Sequence, residues 1–280
     1  MKRLAILGLG TMGAGVASRL VAAGSDVSVW NRTSSVAKAF ADSSGARAAD
    51  DIASAVDGAE MVLSFLTDDV ASAVVWGQAL AVCPAGAIVV ECSTISPERA
   101  AEFVDQATGL GFAAAVAIMV GSKPQAESGM LTFLTGGEEA VGADVASVLS
   151  PACGGVRHVG SPQAAAILKL AINTLLAAQL ASLAELKQVT ESLGMPELLT
   201  SVTDLPVFSP IAGALLARMR AGDFTPNFSV DLIEKDLGYM AQVAKDASVD
   251  PQVIRAVQAK FTRASHDGLG DKDFSVIGAS

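Results

Sequence analysis

The chain has 280 residues, 51% of them hydrophobic and 17% charged, with a formal net charge of −10. That length allows one large domain or two modest ones, and the composition excludes a disordered chain. Binding a phosphate backbone needs a basic face, which a net charge of this sign argues against, so nucleic acid is not the expected partner.

The N-terminal run Leu4–Leu7 follows Lys2 and Arg3, as the core of a signal peptide would. Glycines at 8, 10, 13 and 15 break it at once, so it reads as a first strand. Further strands are expected at Val27–Trp30, Met61–Phe65, Ile88–Glu91, Ala113–Met119 and Leu131–Leu134. Helices are expected between them, around 12–23, 34–43, 69–80, 96–108 and 138–149. This alternation predicts an α/β domain over 1–160, with a mostly parallel sheet and helices on both faces.

From Ser161 the strand signals stop. A long helix is expected from Gln163 to Leu193, with Pro162 at its start and Gly194-Met195-Pro196 at its end. More helices follow to about Ser265, interrupted at Pro206, Pro210 and Pro226. An all-α domain over 161–280 is therefore expected, joined to the first by the long helix. Apolar runs are punctuated by Gly, Pro or charge, so no membrane span is expected. Cys83, Cys92 and Cys153 form no CxxC pair, and His158 and His266 are the only histidines. This fits a reducing, cytoplasmic compartment and predicts neither a disulfide framework nor a metal site.

Three segments carry chemistry. The first is Gly8-Leu9-Gly10-Thr11-Met12-Gly13, a GxGxxG run between a strand and a helix. Gly8 permits a tight turn, Gly10 lets backbone approach a pyrophosphate, and Gly13 lets the helix pack on the strand. The competing reading is a glycine-rich turn with no ligand. The second is Asn31-Arg32-Thr33, at the end of the second strand. NAD sites place a carboxylate there for the ribose 2′-hydroxyl. Here Arg32 can pair with a 2′-phosphate and stack on adenine, with Asn31 and Thr33 adding hydrogen bonds, so NADP(H) is the expected cofactor. An exposed loop arginine is the plainer alternative.

The third is Lys169, the one charged residue between Val159 and Ala184. A helix apolar on all sides is buried, and a buried ammonium is costly unless paired, or else gives up its proton. Asn173 lies one turn on, along the same face. Either the pair marks a site or Lys169 snorkels to the surface.

Together these residues resemble the β-hydroxyacid dehydrogenases, which include 3-hydroxyisobutyrate dehydrogenase and the glyoxylate/succinic semialdehyde reductases. The resemblance spans essentially the whole chain. It also takes in Glu91-Cys92-Ser93-Thr94, Phe228, Lys235-Asp236 and Gly268–Ser275. It implies a Rossmann-type domain followed by a helical one, and a homo-oligomer (dimer or tetramer). Lys169 would be the general acid/base, with Asn173 orienting substrate. The cofactor would meet Gly8, Gly10, Thr11, Met12, Gly13, Asn31, Arg32, Thr33, Leu66, Thr94 and Lys235. The substrate would meet Met119, Val120, Gly121, Ser122, Phe228 and Asp236, in a cleft between the sheet's C-terminal edge and the long helix.

One segment departs from the family. Where relatives read Asp-Ala-Pro-Val-Ser-Gly, this chain reads Val116-Ala117-Ile118-Met119-Val120-Gly121. Each change is towards apolar, and a hydroxyl that would help hold a substrate carboxylate is lost. Gly121 and Ser122 are expected to keep backbone N–H groups available. The run Ala117-Ile118-Met119 resembles the imine reductases, so reduction of imines or apolar ketones is the alternative function. A non-catalytic NADP-binding scaffold is a third.

Overall fold

The computed structural model describes residues 2–279. The chain divides into two compact units, one ending at Lys169 and the other beginning at Leu170.

The first unit alternates strands and helices. In chain order these are β1 (Arg3–Leu7), α1 (Thr11–Ala22), β2 (Asp26–Trp30), α2 (Ser34–Ser44), β3 (Arg47–Ala48), α3 (Ile52–Val56), β4 (Met61–Ser64) and α4 (Asp69–Ala79). There follow β5 (Ile88–Glu91), α5 (Pro97–Gly109), β6 (Ala113–Val120), α6 (Lys123–Ser128), β7 (Leu131–Gly137), α7 (Glu139–Leu149) and β8 (Cys153–His158). The eight strands form one sheet in the order β3-β2-β1-β4-β5-β6-β7-β8. Neighbours run parallel except β6 and β7, which are antiparallel.

The central strands are apolar on both faces because helices cover both. Leu4–Leu7, Met61–Leu63 and Val89–Val90 are almost fully buried. Local signals start the helices. The Ser96 hydroxyl accepts from the Arg99 N–H at 3.1 Å, with Pro97 next in the chain. The Asp68 carboxylate accepts from the Ala71 N–H at 2.8 Å. After β1 the chain builds outward through β2 and β3, then returns to build β4, β5 and β6 on the other side. The crevice at such a reversal, beyond the C-terminal ends of β1 and β4, is where open α/β sheets bind ligands.

The helix α8 (Pro162–Ser192) begins in the first unit and continues into the second. By length and hydropathy it could cross a membrane. In the second unit its Ala177, Leu180, Ala181, Leu183 and Ala184 instead form a core with α9 (Pro210–Ala221), α10 (Val230–Asp246) and α11 (Gln252–Ala264). Leu215, Leu216 and Met219 come from α9, Ile233 and Leu237 from α10, and Val257 and Phe261 from α11.

The expected strands and long helices are present, with ends shifted by no more than a few residues. Beyond them the structure has β3, β8, α3 and α6.

Candidate active site

The glycine loop follows β1 at the reversal point. Gly8 has φ +105°, a left-handed conformation that other residues rarely adopt. A Cβ at Gly13 would lie 2.9 Å from Phe65 Cβ, so α1 can approach the strand only with glycine there. Gly10 is different. Nothing lies within 4 Å of where its Cβ would be, and its φ of −65° suits any residue. Its missing side chain leaves space that the protein itself does not use. It is the N-cap of α1 with no side-chain cap, and helix N–H groups in that first turn have no partner within the helix. Open space beside free N–H donors fits the pyrophosphate of a dinucleotide.

At the end of β2, the Asn31 side chain is occupied at both ends. Its Oδ1 accepts from the Leu9 N–H at 3.1 Å and its Nδ2 donates to the Thr33 carbonyl at 3.2 Å. Asn31 therefore ties the glycine loop to the start of α2. Arg32, Thr33 and Ser34 are exposed there, and no acidic residue lies in the first turn of α2.

Across the reversal point lie the ends of β4 and β5, where the sequence reading singled out Leu66 and Thr94. Both are half-buried. Beneath them is a group to which that reading gave no role. The carboxylate of Glu91 is fully buried. Oε1 accepts from the Ser64 hydroxyl at 2.8 Å and the Ser93 N–H at 2.8 Å. Oε2 accepts from the Ser72 hydroxyl at 2.7 Å and Trp76 Nε1 at 3.0 Å. Arg99, also buried, donates from Nε to Ser72 at 3.1 Å. The available signal was an acid closing the apolar run Ile88–Val90.

In β6, Val116, Ala117 and Ile118 are buried, while Met119 and Val120 are half-buried at its end. Gly121 has φ +138°, and a side chain there would meet Leu131 and Gln125. Ser122 starts α6. Its N–H and its hydroxyl both donate to Gln125 Oε1, at 3.0 and 2.6 Å. The expectation of a free Ser122 N–H thus needs correction, because Gln125 already takes it.

On α8, Lys169 and Asn173 lie one turn apart and are both buried, at 8% and 3% exposure. In the helical unit, Asn173 Nδ2 donates to Asp236 Oδ2 at 2.6 Å. A carboxylate only accepts, so this bond fixes which way the Asn173 amide faces. Lys235 Nζ lies 2.9 Å from Asp236 Oδ1, an ion pair poorly aligned for a hydrogen bond, and 4.8 Å from the centre of the Tyr239 ring. Phe228 is half-buried and packs against Phe274 with ring centres 5.5 Å apart.

Residues 3–160 match the model for the NAD-binding domain of 6-phosphogluconate dehydrogenase. Residues 163–278 match that for the NAD-binding region of NADP-dependent 3-hydroxyisobutyrate dehydrogenase. The NAD-dependent L-serine dehydrogenase of Pseudomonas aeruginosa is 31% identical, over 99% of this chain and 97% of its own. The solved 3-hydroxyisobutyrate dehydrogenase of Mycobacterium tuberculosis, bound to L-serine, superposes with a TM-score of 0.89 at 26% identity, covering 99% and 98% of the two chains. A reductive aminase from Aspergillus terreus, solved with NADPH, is alike in fold, with a TM-score of 0.66 at 22% identity over 99% and 98%. With a glycine loop shaped for a dinucleotide and these matches along its whole length, the chain belongs to the β-hydroxyacid dehydrogenase family of nicotinamide-dependent oxidoreductases.

Proposed function

We propose that this protein is an NADP(H)-dependent reductase or dehydrogenase that uses Lys169 as its general acid/base. The observation that carries the proposal is the burial of Lys169 in an otherwise apolar stretch of α8, one turn before an Asn173 whose amide is fixed by Asp236. The bound cofactor supplies or accepts a hydride. In the reducing direction, negative charge develops on the substrate oxygen. Lys169, as ammonium, stabilises that charge and delivers the proton from Nζ. Asn173 orients the substrate, and Asp236 orients Asn173. The family resemblance assigns Lys235 to the cofactor and Phe228 and Asp236 to the substrate.

Support for NADP(H) comes from Arg32 and the exposed hydroxyls of Thr33 and Ser34, together with the absence of an acid at the end of β2. Asn31 serves as a brace rather than a phosphate ligand, since both ends of its amide are engaged. The family contains NAD-dependent members, so the choice rests on this loop.

For the substrate, the family reading is a semialdehyde, keto acid or hydroxyacid. One observation favours a second class, imines or apolar ketones. The end of β6 is apolar, and Gln125 occupies both Ser122 donors that a substrate carboxylate would use.

We also propose a cytoplasmic homo-oligomer. The three cysteines are free, and α8 exposes Leu175, Leu186 and Val189.

Steady-state rates with succinic semialdehyde, a cyclic imine and an apolar ketone, each with NADPH and NADH, test the proposal. The expected result is a higher kcat/KM with NADPH, and Arg32→Ala should erase that preference. Equal rates with both cofactors in the native enzyme would contradict the cofactor assignment. A marked preference for the acid would remove the second substrate class.

A further inference from the structure

We infer that Glu91 is a positioning residue for the nicotinamide half of the cofactor site, acting through Ser93 and Leu66 without touching cofactor or substrate. The topology places it. The glycine loop and the end of β2 hold the pyrophosphate and adenosine side, so the second mononucleotide lies beyond the ends of β4 and β5. The segments there are Phe65-Leu66 after β4 and Cys92-Ser93-Thr94 after β5.

Both segments are held from beneath. Glu91 Oε1 binds the Ser93 N–H at 2.8 Å and the hydroxyl of Ser64, the last residue of β4, also at 2.8 Å. The Ser93 hydroxyl then accepts from the Leu66 N–H at 2.6 Å. One carboxylate thus sets the spacing of the two loops. Glu91 has 0% and Ser93 2% exposure, so neither reaches a bound molecule. Leu66 and Thr94, both half-buried, form the surface that does.

The network demands a carboxylate. Its two oxygens face four donors, which fills the acceptor capacity of the group. Hydroxyls can turn round, whereas the Ser93 N–H and the Trp76 indole N–H only donate, and they sit on different oxygens. A glutamine must present its NH₂ to one of them. On the Trp76 side, the indole would keep only Ser64 Oγ, at 3.0 Å. Replacing Trp76 by Phe removes that donor and lets the amide fit.

The test uses Glu91→Gln, Ser93→Ala, Trp76→Phe and the double variant Glu91→Gln/Trp76→Phe. Each is measured below its own Tm for NADPH affinity by fluorescence titration. Affinity for 2′,5′-ADP reports the adenosine side alone. If the native protein binds NADH more tightly, NADH and ADP replace these probes. Glu91→Gln and Ser93→Ala should each weaken the dinucleotide by about tenfold while leaving the adenosine fragment within twofold, and the double variant should return to the Trp76→Phe level. Equal losses for dinucleotide and fragment would overturn the inference. So would native dinucleotide affinity in the single variants, or no recovery in the double variant. Ser93→Ala leaves the buried carboxylate intact, so it decides the matter alone if Glu91→Gln fails to fold.

Discussion

Glu91 and Asp236 are both buried carboxylates: four donors fill the two oxygens of Glu91, whereas Asp236 takes the Asn173 amide on Oδ2 and the Lys235 charge on Oδ1. Beside Glu91, Cys92 is fully buried, and burial together with the Glu91 charge pushes its thiol well above the usual range. Burial pushes Cys83 up to about 11. In the unfolded chain these thiols ionise near 9.0. The folded state therefore holds its protons longer, and the stability this contributes is present below pH 9 and lost as pH rises towards 11. Thermal unfolding should show a falling Tm across that window. Replacing Cys83 and Cys92 by Ala should flatten the fall. Iodoacetamide at neutral pH should label the native protein far more slowly than the unfolded one, because the thiolate is the nucleophile. At this scale the sequence made Lys169, Asn173 and the glycines visible, because each breaks a local pattern. It hid the Glu91 network, whose donors come from Ser64, Ser72, Trp76 and Ser93 and meet only once the sheet is assembled.

The elements explain why the glycine loop was easy to find and other segments were not. β1, β4 and β5 are apolar runs bounded by turn residues, which makes them recognisable. β8 reads Cys-Gly-Gly-Val-Arg-His and is a strand because β7 offers it an edge, not because of its own preference. β7 continues through Gly136, where a Cβ would lie 2.8 Å from the Ser161 carbonyl carbon. α6 is short, and the local sign of its start is the Ser122–Gln125 spacing of a capping box. The second and third glycines of the loop, Gly10 and Gly13, should respond differently to the same change. Gly13→Ala should cost about 1–3 kcal/mol, since its Cβ would press on Phe65. Gly10→Ala should leave Tm nearly unchanged, because the space around it is open, yet weaken dinucleotide binding by about tenfold or more. Denaturation curves and cofactor titrations of the two variants check both halves. Equal stability losses would contradict the assignment of Gly10 to the ligand.

For the whole molecule, the order of an α/β unit followed by a helical one was legible from the alternation of elements and its end near residue 160. The exposed Leu175 on α8 was not distinguishable from core residues in a stretch so uniformly apolar, and Leu186 and Val189 are exposed where the helix turns charged. A homo-oligomer burying them should appear by light scattering, and Leu175→Glu with Val189→Glu should shift it towards monomer. A native monomer at micromolar concentration would contradict that assignment. The central claim is that Lys169 transfers the proton that accompanies hydride transfer. It is tested most directly by single-turnover oxidation of bound NADPH in native protein and in Lys169→Ala, using the best substrate of the panel. The account predicts cofactor affinity within about twofold of native and a chemical step slower by roughly 10²–10⁴-fold in the variant. An unchanged single-turnover rate in Lys169→Ala would contradict it.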